Sequence, residues 1–182
     1  MAAVAFENQN AAIVRPRVDW GAIWAGVFAF IGIWSVFGLL GAAIFASAAN
    51  PQAVRPVTGM GWGVGIWAIV LTIIAMYVGG RITGGLASIS NRHYGVVHGL
   101  AMFGLSVAAA LVIIVLAGNG VSSVGTETAV HSPYLMDVAS GMGWAGFLSL
   151  FFGWLAAMGG AASGAQQKTT LEKNVQPIRN AA

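Results

Sequence analysis

Four membrane-spanning α-helices gathered in one bundle are expected from three features of this sequence. Charged residues occupy only 7% of the 182 positions, against 58% hydrophobic, far below the roughly 25% charge of soluble domains. The stretches 20–54, 56–80, 93–126 and 138–167 contain no Asp, Glu, Lys or Arg, and each exceeds the roughly 20 residues that a spanning helix needs. None alternates polar and apolar residues with period two, and all exceed the length of a barrel strand. An all-α integral membrane domain over 19–165 is therefore predicted, between polar tails at 1–18 and 166–182.

Helix 1 is placed at 20–48, where Asp19 can cap the first turn and Trp20 and Trp24 suit the headgroup level; it should end before Asn-Pro-Gln-Ala-Val-Arg-Pro at 50–56. Residues 1–19 do not read as a secretory signal, because positive charge appears only at Arg15 and Arg17 and no small-residue cleavage site follows a short apolar core. Helix 1 is thus expected to be retained. Helix 2 is placed at 60–87, helix 3 at 94–118 and helix 4 at 138–163, with Pro133 and its neighbouring serines marking an irregular, solvated loop before helix 4.

Seven of the eight basic residues fall on one side of these spans: Arg15, Arg17, Arg81, Arg92, Lys168, Lys173 and Arg179, with Arg55 alone on the other. The positive-inside rule then puts both termini and the loop between helices 2 and 3 in the cytoplasm. The net charge of +3 reports this topology. No basic run with interleaved aromatics suggests nucleic acid.

The 26 glycines are too many to be turns. Gly61 and Gly65, Gly80 and Gly84, Gly95 and Gly99, and Gly160 and Gly164 recur at four-residue spacing, which puts each pair on one helix face. In lipid, helices are held by close backbone approach over such small residues, so these eight positions are the expected packing seams. Some seams are expected to meet another chain, giving a homo-oligomer or a place among other membrane subunits. Gly59-Met60-Gly61-Trp62 returns as Gly141-Met142-Gly143-Trp144, and Gly79-Gly80-Arg81-Ile82-Thr83-Gly84 as Gly159-Gly160-Ala161-Ala162-Ser163-Gly164. Helix 4 therefore reads as a copy of helix 2, and a parallel repeat would make the bundle pseudo-symmetric about the membrane normal.

Few residues can carry chemistry. With no cysteine, thiolate metal sites and a cysteine nucleophile are excluded. No Asp or Glu lies within a span, which removes the usual carboxylate relay of pumps. Gly-Gly-Arg-Ile-Thr-Gly-Gly at 79–85 lacks the Lys-Ser/Thr ending of a phosphate loop. Arg81 can snorkel to the surface, or form an interfacial ion pair with Asp19 that locks helix 2 to helix 1. His98, in the first turns of helix 3 between Gly95 and Gly99, can bridge helices by a hydrogen bond or ligate a haem or chlorophyll-type metal. A bis-histidine haem would need a second intramembrane histidine, and His93 lies roughly 140° around the helix. Glu127, His131 and Asp137 form the only acid and histidine group beyond the far ends of the spans, without a recognised metal spacing.

Asp-Trp-Gly-Ala-Ile-Trp-Ala-Gly-Val at 19–27, Tyr-Val-Gly-Gly-Arg-Ile-Thr-Gly-Gly-Leu at 77–86 and Tyr-Gly-Val-Val-His-Gly-Leu-Ala-Met-Phe-Gly-Leu-Ser at 94–106 together resemble small bacterial inner-membrane proteins often labelled PhnA-like. The resemblance covers about residues 19–106 and implies a bacterial membrane protein without established activity; helix 4 and the loop before it depart from it. The expected role is a non-catalytic, structural or accessory membrane subunit with no cofactor. The alternatives are a channel for a small solute or ion, lined by Thr72, Ser106, Asn119 and Ser149, and a pigment- or haem-associated subunit using His98.

Overall fold

The computed structural model describes residues 18–48, 61–88, 91–121 and 133–179. They form four helices, α1 (Trp20–Ala48), α2 (Gly61–Leu86), α3 (Arg92–Val121) and α4 (Pro133–Arg179), with no strand among them. Each helix contains a segment long and apolar enough to cross a membrane. The chain is an all-α, multi-pass membrane protein.

Local chemistry sets the helix ends. Asp19 caps α1, its Oδ1 accepting the Ala22 N–H at 3.3 Å, which satisfies one of the orphan donors of the first turn. Asn91 does the same for α3: its side chain accepts from the His93 N–H at 3.1 Å and its carbonyl from the Gly95 N–H at 3.0 Å. That cap starts α3 at Arg92, ahead of the expected 94. At the end of α2, the Ala87 carbonyl accepts from Lys168 Nζ at 3.0 Å, a cation where the helix dipole favours one.

The largest departure from expectation is α4, which runs 47 residues instead of 138–163. Pro133 does not mark an irregular loop; it is the first helical residue, where its fixed φ suits the helix and its missing N–H is not needed. At the other end the helix continues into the 166–182 segment expected to be a tail, where Gln166, Gln167, Lys168, Leu171, Glu172 and Lys173 are good helix formers. At 1.5 Å per residue α4 is about 70 Å long, more than twice the roughly 30 Å of hydrocarbon.

α2 and α4 run parallel and are packed backbone to backbone. A methyl added at Gly80 would fall on the Ala157 carbonyl oxygen, and one at Gly84 on that of Ala161; reciprocally, one at Gly160 would fall on the Tyr77 carbonyl oxygen and one at Gly164 on that of Arg81. Each of these contacts is the repeat equivalent of another, so the two helices are related by a local two-fold along their shared direction. α3 packs antiparallel on α4 through Gly95, 2.8 Å from the Ala161 carbonyl oxygen at its would-be Cβ, and Gly99, 2.7 Å from that of Ala157. α1 packs antiparallel on α2 through Gly26, which faces Thr83 and Gly79, and Gly41, which faces the Trp67 indole. Gly65 meets only the Ala145 side chain at an ordinary 3.5 Å, and the surroundings of Gly61 lie outside the described residues.

The two-fold does not extend to the whole bundle. Among the described residues α1 touches α2 and α3 but not α4, so α1 and α3 lie together on one side of the α2–α4 pair. A rotation exchanging α2 with α4 would have put them on opposite sides. The expected pseudo-symmetry is thereby confined to α2 and α4.

Side-chain packing is concentrated toward the end where α1 and α3 begin. Ile23, Val27, Met76, Met102 and Ala157 form the core there, with Phe30, Ala101, Phe103, Leu105 and Ala156 against it. Beyond this level the helices expose their flanks: Val36, Leu39 and Ile44 of α1 and Leu111 to Ile113 of α3 are all exposed.

Candidate functional site at the basic end of the bundle

The polar residues that remain after packing collect at the tightly packed end, where Arg81, Arg92 and Lys168 give a basic rim. His98 is buried on the face of α3 that meets the start of α1. Its Nε2 lies 3.0 Å from the Asp19 backbone nitrogen and accepts its N–H, while Nδ1 lies 2.8 Å from the Tyr94 carbonyl, one turn back on its own helix. Only the neutral tautomer with its proton on Nδ1 satisfies both partners. His98 therefore clamps α3 to the cap of α1.

In this geometry both ring nitrogens of His98 have protein partners, which bears on the cofactor reading. A haem or pigment metal needs a ring nitrogen with a free lone pair, and the one lone pair available is engaged by the Asp19 amide inside a packed interface. The surrounding residues do not fit such a group. Among the described residues no three His, Asp or Glu side chains come together. Glu127 and His131 lie outside the described residues, and so does the side chain of Asp137.

The expected ion pair between Asp19 and Arg81 is not formed either. The Asp19 carboxylate accepts Ser88 Oγ–H at 2.7 Å and the Ala22 N–H; the Ser88 hydrogen bond first, then the backbone donors, hold its pKa below the ordinary 3.8 against a small opposing effect of burial. Arg81 instead donates from Nη2 to Gln167 Oε1 at 2.8 Å, so it ties α2 to α4 and not to α1. The reason is rotational: Arg81 lies on the α2 face that meets α4, where its carbonyl oxygen packs on Gly164, whereas Asp19 sits beside the segment after α2.

Asp19, Ser88 and His98 do not form a nucleophilic relay. Ser88 donates to the carboxylate and has no bond to the imidazole, and the imidazole binds the Asp19 backbone instead of its carboxylate; a relay needs the base to face the hydroxyl. The buried hydroxyls are equally committed to structure. Thr83 donates to the Gly79 carbonyl, Ser106 to the Met102 carbonyl, and Thr72 accepts from the Trp34 indole at 3.3 Å.

Sequence reasoning missed Ser88, Gln167 and Lys168 as partners. The last two sit on turns of α4 in the segment expected to be a tail, so no face could be assigned to them. Between Arg81, Gln167 and Lys168, the basic end also contains an open cavity of about 370 Å³ beside the α2–α4 seam. No family model, no curated protein and no solved structure matches this chain. The PhnA-like resemblance rests on the motifs within residues 19–106 alone.

Proposed function

We propose that this chain is a non-catalytic membrane subunit that assembles laterally with further copies of itself, in a bacterial inner membrane with both termini cytoplasmic. The supporting observation is the division of its glycines. One set lies in seams where any side chain would collide with a neighbouring helix; a second set, Gly32, Gly104, Gly143, Gly146 and Gly159, has nothing within 4 Å of a would-be Cβ. A mid-helix glycine forgoes about 1 kcal/mol of helix propensity relative to alanine, and lipid gives no compensation for that loss. Close approach of a second backbone does.

The α4 face carrying Gly159 is the focus of this reading. Its repeat equivalent on α2, Gly79, lies 2.7 Å from the Gly26 carbonyl oxygen of α1 at its would-be Cβ, whereas Gly159 is uncovered. A helix from another copy, packing as α1 does, would complete it. The seven basic residues gathered on one side favour the stated orientation.

The test is the mass of the assembly in lipid nanodiscs. The parent chain should be oligomeric, and Gly159→Leu should reduce it to a monomer with a melting temperature in detergent within about 2 °C of the parent. Because the chain has no cysteine, Gly159→Cys should also give an oxidant-dependent covalent dimer. A monomeric parent, or a Gly159→Leu variant of unchanged mass, rules the reading out.

A further inference from the structure

The geometry points to a binding site for a phosphoryl anion, of the kind carried by membrane lipid headgroups, in the cavity between the basic ends of α2 and α4. This inference does not depend on self-association. The cavity measures about 370 Å³, within the range of sites that hold small ligands. It lies beside the seam where Gly164 packs on the Arg81 and Gly85 backbone.

Its polar wall is cationic. Arg81 and Lys168 both line it, with Gln167 between them, and among the described residues no acidic one lines it. A guanidinium has five N–H donors and an ammonium three; here the guanidinium is held by Gln167 and the ammonium by the Ala87 carbonyl, and no carboxylate pairs with either among the described residues. Donors therefore remain on both groups. The Arg81–Gln167 bond also fixes the guanidinium plane, which suits bidentate contact with phosphate oxygens.

Depth selects the ligand further. The apolar span of α4 ends at Lys168, and Arg81 lies five residues before the end of that of α2 at Leu86; with the Arg81 stem snorkelling outward, both cations reach the level of lipid phosphates. The rest of the wall is apolar: Val78 and Ile82 lie within the apolar span of α2, where an acyl chain would lie, and Leu171 closes the other side one turn beyond Lys168 on α4. A phosphoryl group at Arg81 and Lys168 with its tail against Val78 and Ile82 satisfies both halves of the site.

The experiment uses the full-length chain, delipidated and monodisperse in neutral detergent, titrated with phosphatidylglycerol in mixed micelles and, separately, with inorganic phosphate. Saturable phosphatidylglycerol binding is expected, weakened about tenfold in Arg81→Gln and in Lys168→Gln, retained in part in Arg81→Lys, and unchanged in Arg92→Gln, a cation of the same end that does not line the cavity. Phosphatidylglycerol binding without phosphate binding assigns the site to lipid. Binding of both, with the same dependence on Arg81 and Lys168, assigns it to the phosphoryl group whatever its source. Should Arg81→Gln fail to fold, Lys168→Gln and Arg81→Lys decide. The inference is overturned if no saturable binding occurs, or if Arg92→Gln weakens it as much as Lys168→Gln, since general surface charge then suffices.

Discussion

His98 and Asp19 show how polar residues near the membrane find partners in the fold. An unsatisfied imidazole in hydrocarbon would be costly; here both nitrogens have partners, and one of them is a backbone N–H that α1 leaves orphaned at its start. The ionised form of Asp19 is in turn favoured by the Ser88 hydrogen bond. Since the folded carboxylate has its pKa lowered, the stabilisation is present above the unfolded value and disappears as pH falls through the folded value. Ser88→Ala should therefore lower the melting temperature in detergent at pH 7 by about 1–2 °C, a small effect because solvent reaches the pair. The gap to the parent should close as pH drops below the ordinary 3.8. A gap that stays constant from pH 7 to pH 3 would assign Ser88 a role other than holding the carboxylate. That His98 bridges two helices was legible from its place between Gly95 and Gly99. Its partner was not, because a backbone N–H leaves no mark in a sequence.

At the scale of the helix, glycine spacing was the most informative signal. Gly80, Gly84, Gly160 and Gly164 share a face by spacing alone, and they share one interface in the fold. What spacing leaves open is which helix each seam meets, because Gly95 and Gly99 are equally spaced yet pack on Ala157 and Ala161 instead of on another glycine pair. The ends of α4 were hidden for a different reason: hydropathy reports the solvent around a helix, and α4 remains helical after leaving the apolar layer. The α2–α4 seam makes a direct demand on substitution. Gly160→Ala puts a methyl onto the Tyr77 carbonyl, so the backbones must separate, at a cost of about 1–3 kcal/mol. In the detergent-dispersed monomer Gly146→Ala, with nothing within 4 Å, should be neutral or stabilising by up to about 1 kcal/mol. Reversible unfolding in mixed micelles compares the two, and equal stabilities would show that α2 and α4 are not in backbone contact.

At the scale of the whole molecule, the described residues form an uneven bundle, gripped at one end and loose toward the other. α1 makes this plain, since its buried residues are Ala22, Ile23, Gly26 and Val27 in the first turns and Gly41 alone thereafter. In water an exposed Ile would be a liability, but in lipid the apolar transfer term is nearly the same against a neighbour as against an acyl chain. Only the dispersion attraction forfeited around an unfilled cavity distinguishes the two settings. Two isoleucines on α1 isolate that quantity: Ile23 is 0% exposed and Ile44 is 48% exposed. Ile23→Ala opens a void between α1 and the core, where Val27 and Met102 cannot collapse because glycine seams already hold the backbones at contact distance. It should cost about 2 kcal/mol or more on the detergent-dispersed monomer. Ile44→Ala leaves its space to detergent or lipid and should cost less than about 0.5 kcal/mol. If the same pair is measured in nanodiscs, a cost that rises for Ile44→Ala alone would mean that a second copy covers the loose half of α1. Equal costs in both media for both substitutions would mean that the bundle is evenly packed along its length, and the division into a gripped end and a loose end would fail.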